Sequence, residues 1–380
     1  MKLLFVVENA NLNGGTEILT FHLLSALRAA REDVYVLSIV PYVGKEPYVL
    51  SLSEDEYYKW RNISLSLNNK LLFSTQSDRV LRKILTDKIK KYRPVLLVCQ
   101  TYDLISALPL NYPVAQVFNW SVIGYEASLR NIINKKTLVC RTFSMFCEWG
   151  KRKRRHWMLS RIPKLIVLTK AAQKELKALN PKVRDEQIQV IPDLLMVERD
   201  SDVLSSLKNG NVSFVGRLSY EKGVMRLLRI WKQVSSELPN FTLSIYGEGD
   251  AREEMEKYIK ENCINNVCFK GYCNDLERIY PNSDLLLMTS DTEGFGMVLI
   301  EAMYYGVPCI SFDCPISPKE IISDAGVLIP SFDEDEYAKA IVSLVSSKEQ
   351  MKTLQNNAIM RARDFYKNKI ISKWLKIIRD

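Results

Sequence analysis

From Asn211 onward the chain alternates short apolar runs with amphipathic stretches, and only a few residues separate one from the next. Val212 to Val215, Phe241 to Tyr246, Val267 to Lys270, Leu285 to Met288 and Pro308 to Phe312 read as strands. Between them the pattern predicts a helix ending at Glu237, helices over Arg252 to Asn262 and near Leu276, and one from Met297. The first half repeats the alternation less regularly. Strands are expected over Leu3 to Val7, Val34 to Val40, Val95 to Cys99 and Val114 to Phe118, with helices over Glu17 to Arg31 and Asp78 to Lys91. Strands that alternate with helices through short connectors make parallel sheets covered on both faces, so the expected class is α/β, doubly wound. Residues Tyr42 to Leu72 are polar with scattered aromatics, and the reading takes them as an insertion over the first domain.

At 380 residues the chain exceeds the size at which single cores stop growing, so two α/β domains of about 180 residues each are expected. An apolar content of 47% is enough for both cores. No run of eighteen or more apolar residues occurs, and Lys2 followed by LLFVV is too short and wrongly flanked for a signal peptide. The chain reads as cytosolic. Its eight cysteines form no C-x-x-C and have two histidines for company, so zinc is not expected and the cysteines read as free thiols. Asp200-Ser-Asp202 lies in a polar connector and reads as solvated loop, so no metal site is assigned.

Two segments carry chemistry. Thr289 to Ala302 reads TSDTEGFGMVLIEA, with Glu293 and Glu301 eight positions apart around a Gly-Phe-Gly turn that opens a helix. The first N–H groups of a helix lack intrahelical partners and sit at the positive end of its dipole, which suits a diphosphate. Carboxylates suit sugar hydroxyls. In a fully helical stretch the two glutamates stand roughly 12 Å apart, enough to serve opposite ends of one ligand but not to share a proton. A surface Glu and a capping Glu would read the same way. Asn211 to Gly223 reads NVSFVGRLSYEKG, a strand ending at Gly216-Arg217 with Lys222 five positions later. Two cations at a strand's carboxyl end can balance a leaving diphosphate, although loop cations are commonly just solvated.

Together, strand-Gly-Arg-x4-Lys-Gly and Glu-Gly-Phe-Gly-x4-Glu resemble the retaining nucleotide-sugar glycosyltransferases of family 4. The resemblance covers most of the chain. Near the start, KLLFVVENANLNGGTEILTFHLLSAL is similar to the family's strand, Gly-Gly loop and helix, with Gly14 and Gly15 as the pair; QVIPDLL resembles the inter-domain crossing, with Asp193-Leu194 in place of the usual Asn-Gly. The resemblance implies the GT-B fold, two Rossmann-like doubly wound parallel-sheet domains facing a central cleft. Expected bounds are 1–192 for an acceptor-binding domain, 193–360 for a donor-binding domain, and 361–380 for an amphipathic helix (NKIISKWLKIIRD) packing back on the first domain.

It also implies site roles, residue by residue. Arg217 and Lys222 stabilise charge on the departing phosphate, and Glu293 holds donor-sugar hydroxyls. Glu301 takes the ribose hydroxyls, and the backbone of Gly294, Phe295 and Gly296 meets the diphosphate. Tyr272 stands in the base-contacting loop, while Gly14 and Gly15 close on the donor from the first domain. The donor is a UDP- or GDP-sugar, no cofactor or metal is required, and the acceptor is a glycan or lipid-linked sugar, in bacterial surface polysaccharide or lipopolysaccharide synthesis. Many relatives carry a first-domain histidine where this chain has AQVFNWSVIGYE, offering Gln116, Asn119, Trp120 and Glu126. Asn119 is the stand-in; His22 and His156 lie elsewhere. A nucleotide-sugar epimerase, a phosphorylase, or a non-catalytic membrane-associated scaffold are the alternatives.

Charge divides unevenly along the chain. Residues 1–190 carry 30 Lys plus Arg against 16 Asp plus Glu, whereas 191–380 carry 23 against 28. The densest point is the run Trp149 to Trp157 (WGKRKRRHW), preceded by Arg130, Lys135, Lys136 and Arg141. A basic run flanked by tryptophans over residues 130–157 suits an anionic membrane surface, and hence a cytoplasmic protein peripheral on the inner face of the cytoplasmic membrane. A solvated helix end and nucleic acid are the other readings, and no nucleic-acid motif accompanies the run.

Overall fold

The computed structural model describes residues 1–11, 15–44, 46–65, 75–119, 138–197 and 203–379. Gly14, Trp120, Glu126, Arg130, Lys135, Lys136, Asp200 and Asp202 lie outside the described residues. The chain divides into two compact units, Met1–Leu194 with Ile370–Asp380, and Leu195–Lys369.

The first unit runs β1 (Lys2–Val7), α1 (Gly15–Ala29), β2 (Asp33–Ser38), β3 (Val49–Ser51), α2 (Glu54–Leu65), α3 (Thr75–Tyr92), β4 (Leu96–Cys99), β5 (Val114–Phe118), α4 (Leu138–Leu159), β6 (Lys164–Val167), α5 (Lys170–Leu179) and β7 (Ile188–Val190). Its sheet is parallel throughout, in the order β3-β2-β1-β4-β5-β6-β7. Strands covered on both faces read as unbroken apolar runs, and five of the six residues of β1 are buried. Thr169 caps α5, its side chain accepting from the Ala172 N–H at 3.0 Å.

Of the expected insertion over Tyr42 to Leu72, Lys45 and residues 66–72 lie outside the described residues, and the described part is not an insertion over the domain. Val49–Ser51 joins the sheet beside β2, in register with Val36 to Ser38, and Glu54–Leu65 is helical. Three half-buried residues carry too little periodicity to announce a strand; pairing with β2 makes it one.

The second unit runs β8 (Asn211–Val215), α6 (Val224–Glu237), β9 (Thr242–Tyr246), α7 (Arg252–Glu261), β10 (Val267–Gly271), α8 (Leu276–Ile279), β11 (Leu285–Met288), α9 (Met297–Tyr304), β12 (Cys309–Phe312), α10 (Pro318–Ile322), β13 (Gly326–Ile329), α11 (Glu334–Ser346) and α12 (Lys348–Ala362). Its parallel sheet has the order β10-β9-β8-β11-β12-β13. The order reverses between β8 and β11, which opens a crevice outside their carboxyl ends. Trp231 of α6, Phe312 of β12 and Tyr337 of α11 are fully buried in one core with Val212, Leu243 and Leu285.

The last helix, α13 (Lys367–Arg379), joins the first unit's core from Ile370 onward. Ile370, Ile371, Trp374, Ile377 and Ile378 are buried against Leu3, Phe5, Val34 and Val98, with the Trp374 and Phe5 rings 6.0 Å apart. The Lys164 ammonium donates to the Ile377 carbonyl near the helix end. Emptying the Trp374 site removes a large buried ring, so Trp374→Ala should lower stability by about 3–5 kcal/mol in urea unfolding; a loss under about 1 kcal/mol would mean that α13 adds little to this core.

Candidate functional site

The crevice between β8 and β11 is bordered by two loops fastened to each other. After β8 a short turn over Tyr220–Lys222 leads to Gly223, which caps α6 with φ 65°. A Cβ built there would fall 1.9 Å from the Thr289 carbonyl oxygen, so glycine is required both for the backbone conformation and for the approach. Across this contact the Thr289 hydroxyl donates to the Lys222 carbonyl at 3.0 Å, and the Asp291 N–H donates to the Glu221 carbonyl at 2.9 Å. Arg226 completes the join. Its guanidinium donates to the Thr289 carbonyl at 3.0 Å and pairs with Asp291 at 2.9 Å, while lying 4.7 Å from the Phe332 ring centre.

This fastening brings the Lys222 ammonium to 2.7 Å from Glu293 Oε1, which also accepts from the Ser290 hydroxyl at 2.6 Å. Glu293 is largely buried, and its backbone is held by a bridge to Ile316 and by the Ser317 hydroxyl, which donates to its carbonyl at 3.4 Å. The carboxylate is therefore fixed in direction before any ligand arrives. An ammonium has three donors, and Glu293 engages one of them.

Arg217 follows β8 with its side chain 69% exposed and 3.9 Å from the equally exposed Glu221, a pairing worth little in water. Gly296 stands at the N-cap of α9 with φ 87°, and Gly294 precedes it in the turn. The Phe295 side chain is not at the surface. It is buried and meets Phe365 edge-on, with centroids 5.7 Å apart, which anchors the turn that presents the α9 N-terminus. Glu301, in the second turn of α9, is buried and accepts from the Tyr280 hydroxyl at 2.9 Å. Burial pushes its carboxyl up, partly offset by that hydrogen bond. Tyr272 is 72% exposed just beyond the end of β10.

Sequence reasoning had not singled out Ser290, Arg226 or Tyr280. Ser290 sits three residues before Glu293, a spacing that could have suggested it, whereas Tyr280 lies 21 positions from Glu301 and nothing local links them.

In the first unit Gly15 begins α1. Gln116 is a core residue of β5, with its amide donating to the Val117 carbonyl. Asn119, past the end of β5, donates to Gln100 Oε1 at 2.9 Å, and both line a cavity of about 20 Å³ with Thr20, Trp374 and Asp193. That volume suits one water. Burial pushes the Asp193 carboxyl up to about 7. An unfolded Asp ionises near pH 3.9, so the folded chain favours the neutral acid. This contribution to stability is complete below about pH 4 and is lost as pH rises towards 7. Asp193→Asn should therefore gain stability over the parent from pH 4 to 7, reaching at most on the order of 4 kcal/mol. Denaturation curves at pH 4.5 and pH 8 that differ equally for the two proteins would rule this out.

Among the described residues no group of three or more His, Cys, Asp or Glu could hold a metal ion, and no helix is long and apolar enough to cross a membrane.

Comparison with known proteins bears on the family and the fold. Residues 198–361 match the family described as glycosyl transferases group 1. The chain is 26% identical over 99% of its length to an uncharacterized glycosyltransferase of Haemophilus influenzae, and covers 99% of it. It is 33% identical to the amylovoran biosynthesis glycosyltransferase AmsD of Erwinia amylovora, over 48% of this chain and 51% of that one. It is 32% identical to an alpha-1,4-N-acetyl-D-galactosaminyltransferase of Campylobacter jejuni, whose name contains a PP-undecaprenol-linked saccharide, over 46% and 49%. In fold it is similar to an S. aureus TarM mutant solved with fondaparinux, alpha-GlcNAc-glycerol and UDP, at TM-score 0.74 and 15% identity over the whole of both chains.

Proposed function

We propose, from the premise that this chain is a glycosyltransferase of group 1 with relatives in bacterial polysaccharide synthesis, that it moves a sugar from a UDP- or GDP-sugar to a glycan or lipid-linked acceptor with retention at the anomeric carbon. The observation that carries this reading is the Lys222–Glu293 pair, seated where the second sheet's strand order reverses.

The parts suit the reaction. A nucleotide diphosphate at the α9 N-terminus meets the turn Gly294-Phe295-Gly296 and the positive end of the helix. Lys222 keeps two donors for phosphate oxygens while its third holds Glu293. Arg217, exposed and weakly paired, can turn onto the same diphosphate at little cost. Glu293 accepts from sugar hydroxyls, and Glu301 accepts from ribose with Oε1, since Tyr280 engages Oε2. As the bond from the anomeric carbon to the diphosphate oxygen breaks, negative charge grows on that oxygen beside the two cations, which lowers the barrier electrostatically. The acceptor oxygen forms its bond on the same face, and its proton passes to the leaving diphosphate. No step in this scheme calls on a metal. The C. jejuni relative's undecaprenol-linked saccharide supports a lipid-linked acceptor, and the basic helix α4 supports a peripheral position on an anionic membrane face.

Thermal shift with UDP, GDP and ADP and their sugars identifies the donor, because a ligand at 100 times its Kd adds about 2.7 kcal/mol of stability. With that donor, Lys222→Ala and Glu293→Ala should each lower kcat/KM about 10²–10³-fold while the chain stays folded. Turnover within about threefold of the parent in either variant would defeat the assignment. Absence of any nucleotide-diphosphate binding would favour a non-catalytic scaffold instead.

A further inference from the structure

The basic run on α4 does not face one way. Arg154 and Arg155 turn inward: Arg154 lies 3.3 Å from Asp78 and donates to the Ser106 carbonyl, while Arg155 is buried against Glu148. The outward residues are Met145, Trp149, Lys153, Trp157 and, just past the helix, Arg161, each four positions from the last. Successive residues at that spacing are neighbours on a helix surface, so Met145 to Trp157 form a ridge that winds gently along about 18 Å of α4, with Arg161 continuing it beyond the helix end. Both indoles and Met145 are half exposed, at 53%, 50% and 50% for Trp149, Trp157 and Met145. The cations sit on the rings, with the Lys153 ammonium 4.0 Å from the Trp149 centroid and the Arg161 guanidinium 4.2 Å from that of Trp157. At the end of the ridge a groove of about 750 Å³ opens between α4 and the end of α5, lined by Lys153, His156, Ser160, Arg161, Asn180 and Lys182 among others. Nearby acids are already paired, Asp185 with Lys177 and Glu186 with Arg184.

We infer that this ridge docks the protein on an anionic lipid bilayer, with the groove taking the phosphate of a lipid headgroup. The inference deepens the peripheral reading above and rests on it. Indoles settle at the headgroup level of a bilayer, where ring and polar edge are both satisfied, and cations alternating with them meet the phosphates. Arg154 ties α4 to Asp78 of α3 and to the Ser106 carbonyl, so that a rigid ridge rather than a loose tail meets the surface. It also follows that neutralising the whole run 151–155 would remove the Arg154 tie and disturb the fold.

The test is co-sedimentation of the full chain with vesicles of phosphatidylcholine alone, and with phosphatidylglycerol or phosphatidic acid added at equal surface charge. Binding to both anionic vesicles and not to the neutral ones is expected, a few-fold tighter with phosphatidic acid, whose exposed phosphomonoester fits the groove. Each cation near the surface is worth about fivefold in binding, so Lys153→Gln/Arg161→Gln/Lys182→Gln should weaken it about 10²-fold. Trp149→Ala/Trp157→Ala should weaken it at least about tenfold, and Lys257→Gln, on exposed α7, should not weaken it. Unchanged thermal melting and nucleotide binding establish that each variant is folded. No binding to any anionic vesicle overturns the membrane reading and the inference together. Binding that survives Arg161→Gln/Lys182→Gln overturns the groove alone. A lipid-free dimer lost in Trp149→Ala/Trp157→Ala would make the ridge an interface between copies and overturn the docking.

Discussion

At Gly223 the first turn of α6 runs against the Thr289 carbonyl with no room for a side chain, and the geometry of the second unit's crevice depends on that contact. It draws together loops that follow β8 and β11, strands adjacent in the sheet but more than 60 residues apart in the chain. Backbone groups that would be left unpaired at the contact are met by Thr289, Asp291 and Arg226. Lys222 and Glu293 then meet because their loops do. The pair is preorganised: Ser290 holds the Glu293 carboxylate and the Ile316 bridge holds its backbone, so the charge is already aimed rather than left to be assembled.

The two units solve different problems with the same fold. The second presents cations and carboxylates at the carboxyl edge of its sheet. The first takes its closing helix from the far end of the sequence, burying Trp374 and four isoleucines on β1 and its neighbours. Its positive surplus is sorted by helical geometry, Arg154 and Arg155 turning inward to Asp78, the Ser106 carbonyl and Glu148, Lys153 and Arg161 standing outward beside tryptophan rings.

Much of this was readable in advance. Each strand expected over Val212 to Phe312 is present; β8, β9, β11 and β12 are covered on both faces and therefore largely apolar, while β10 at the sheet edge is only half buried. β3 escaped notice for the opposite reason, since its three residues are half buried and gain their conformation from β2. The region after Phe312, with β13, α11 and α12, was equally silent, although Tyr337 of α11 is central to the core and hydrogen-bonds the backbone of both β11 and β12. Phe295 was picked out for its backbone, and the structure assigns its ring to packing against Phe365.

What the sequence determined unaided was the alternation of strands and helices, hence parallel sheets, and the placing of Arg217, Lys222, Glu293 and Gly296 just beyond strand ends. Those properties follow from local periodicity and chain order. Tertiary structure decided what the side chains there do: Lys222 on Glu293, Tyr280 on Glu301, Asp193 beside a cavity, and a basic run split between an inner and an outer face. Such pairings join residues distant in sequence, and no local pattern encodes a direction that is set by whichever neighbour the fold brings alongside.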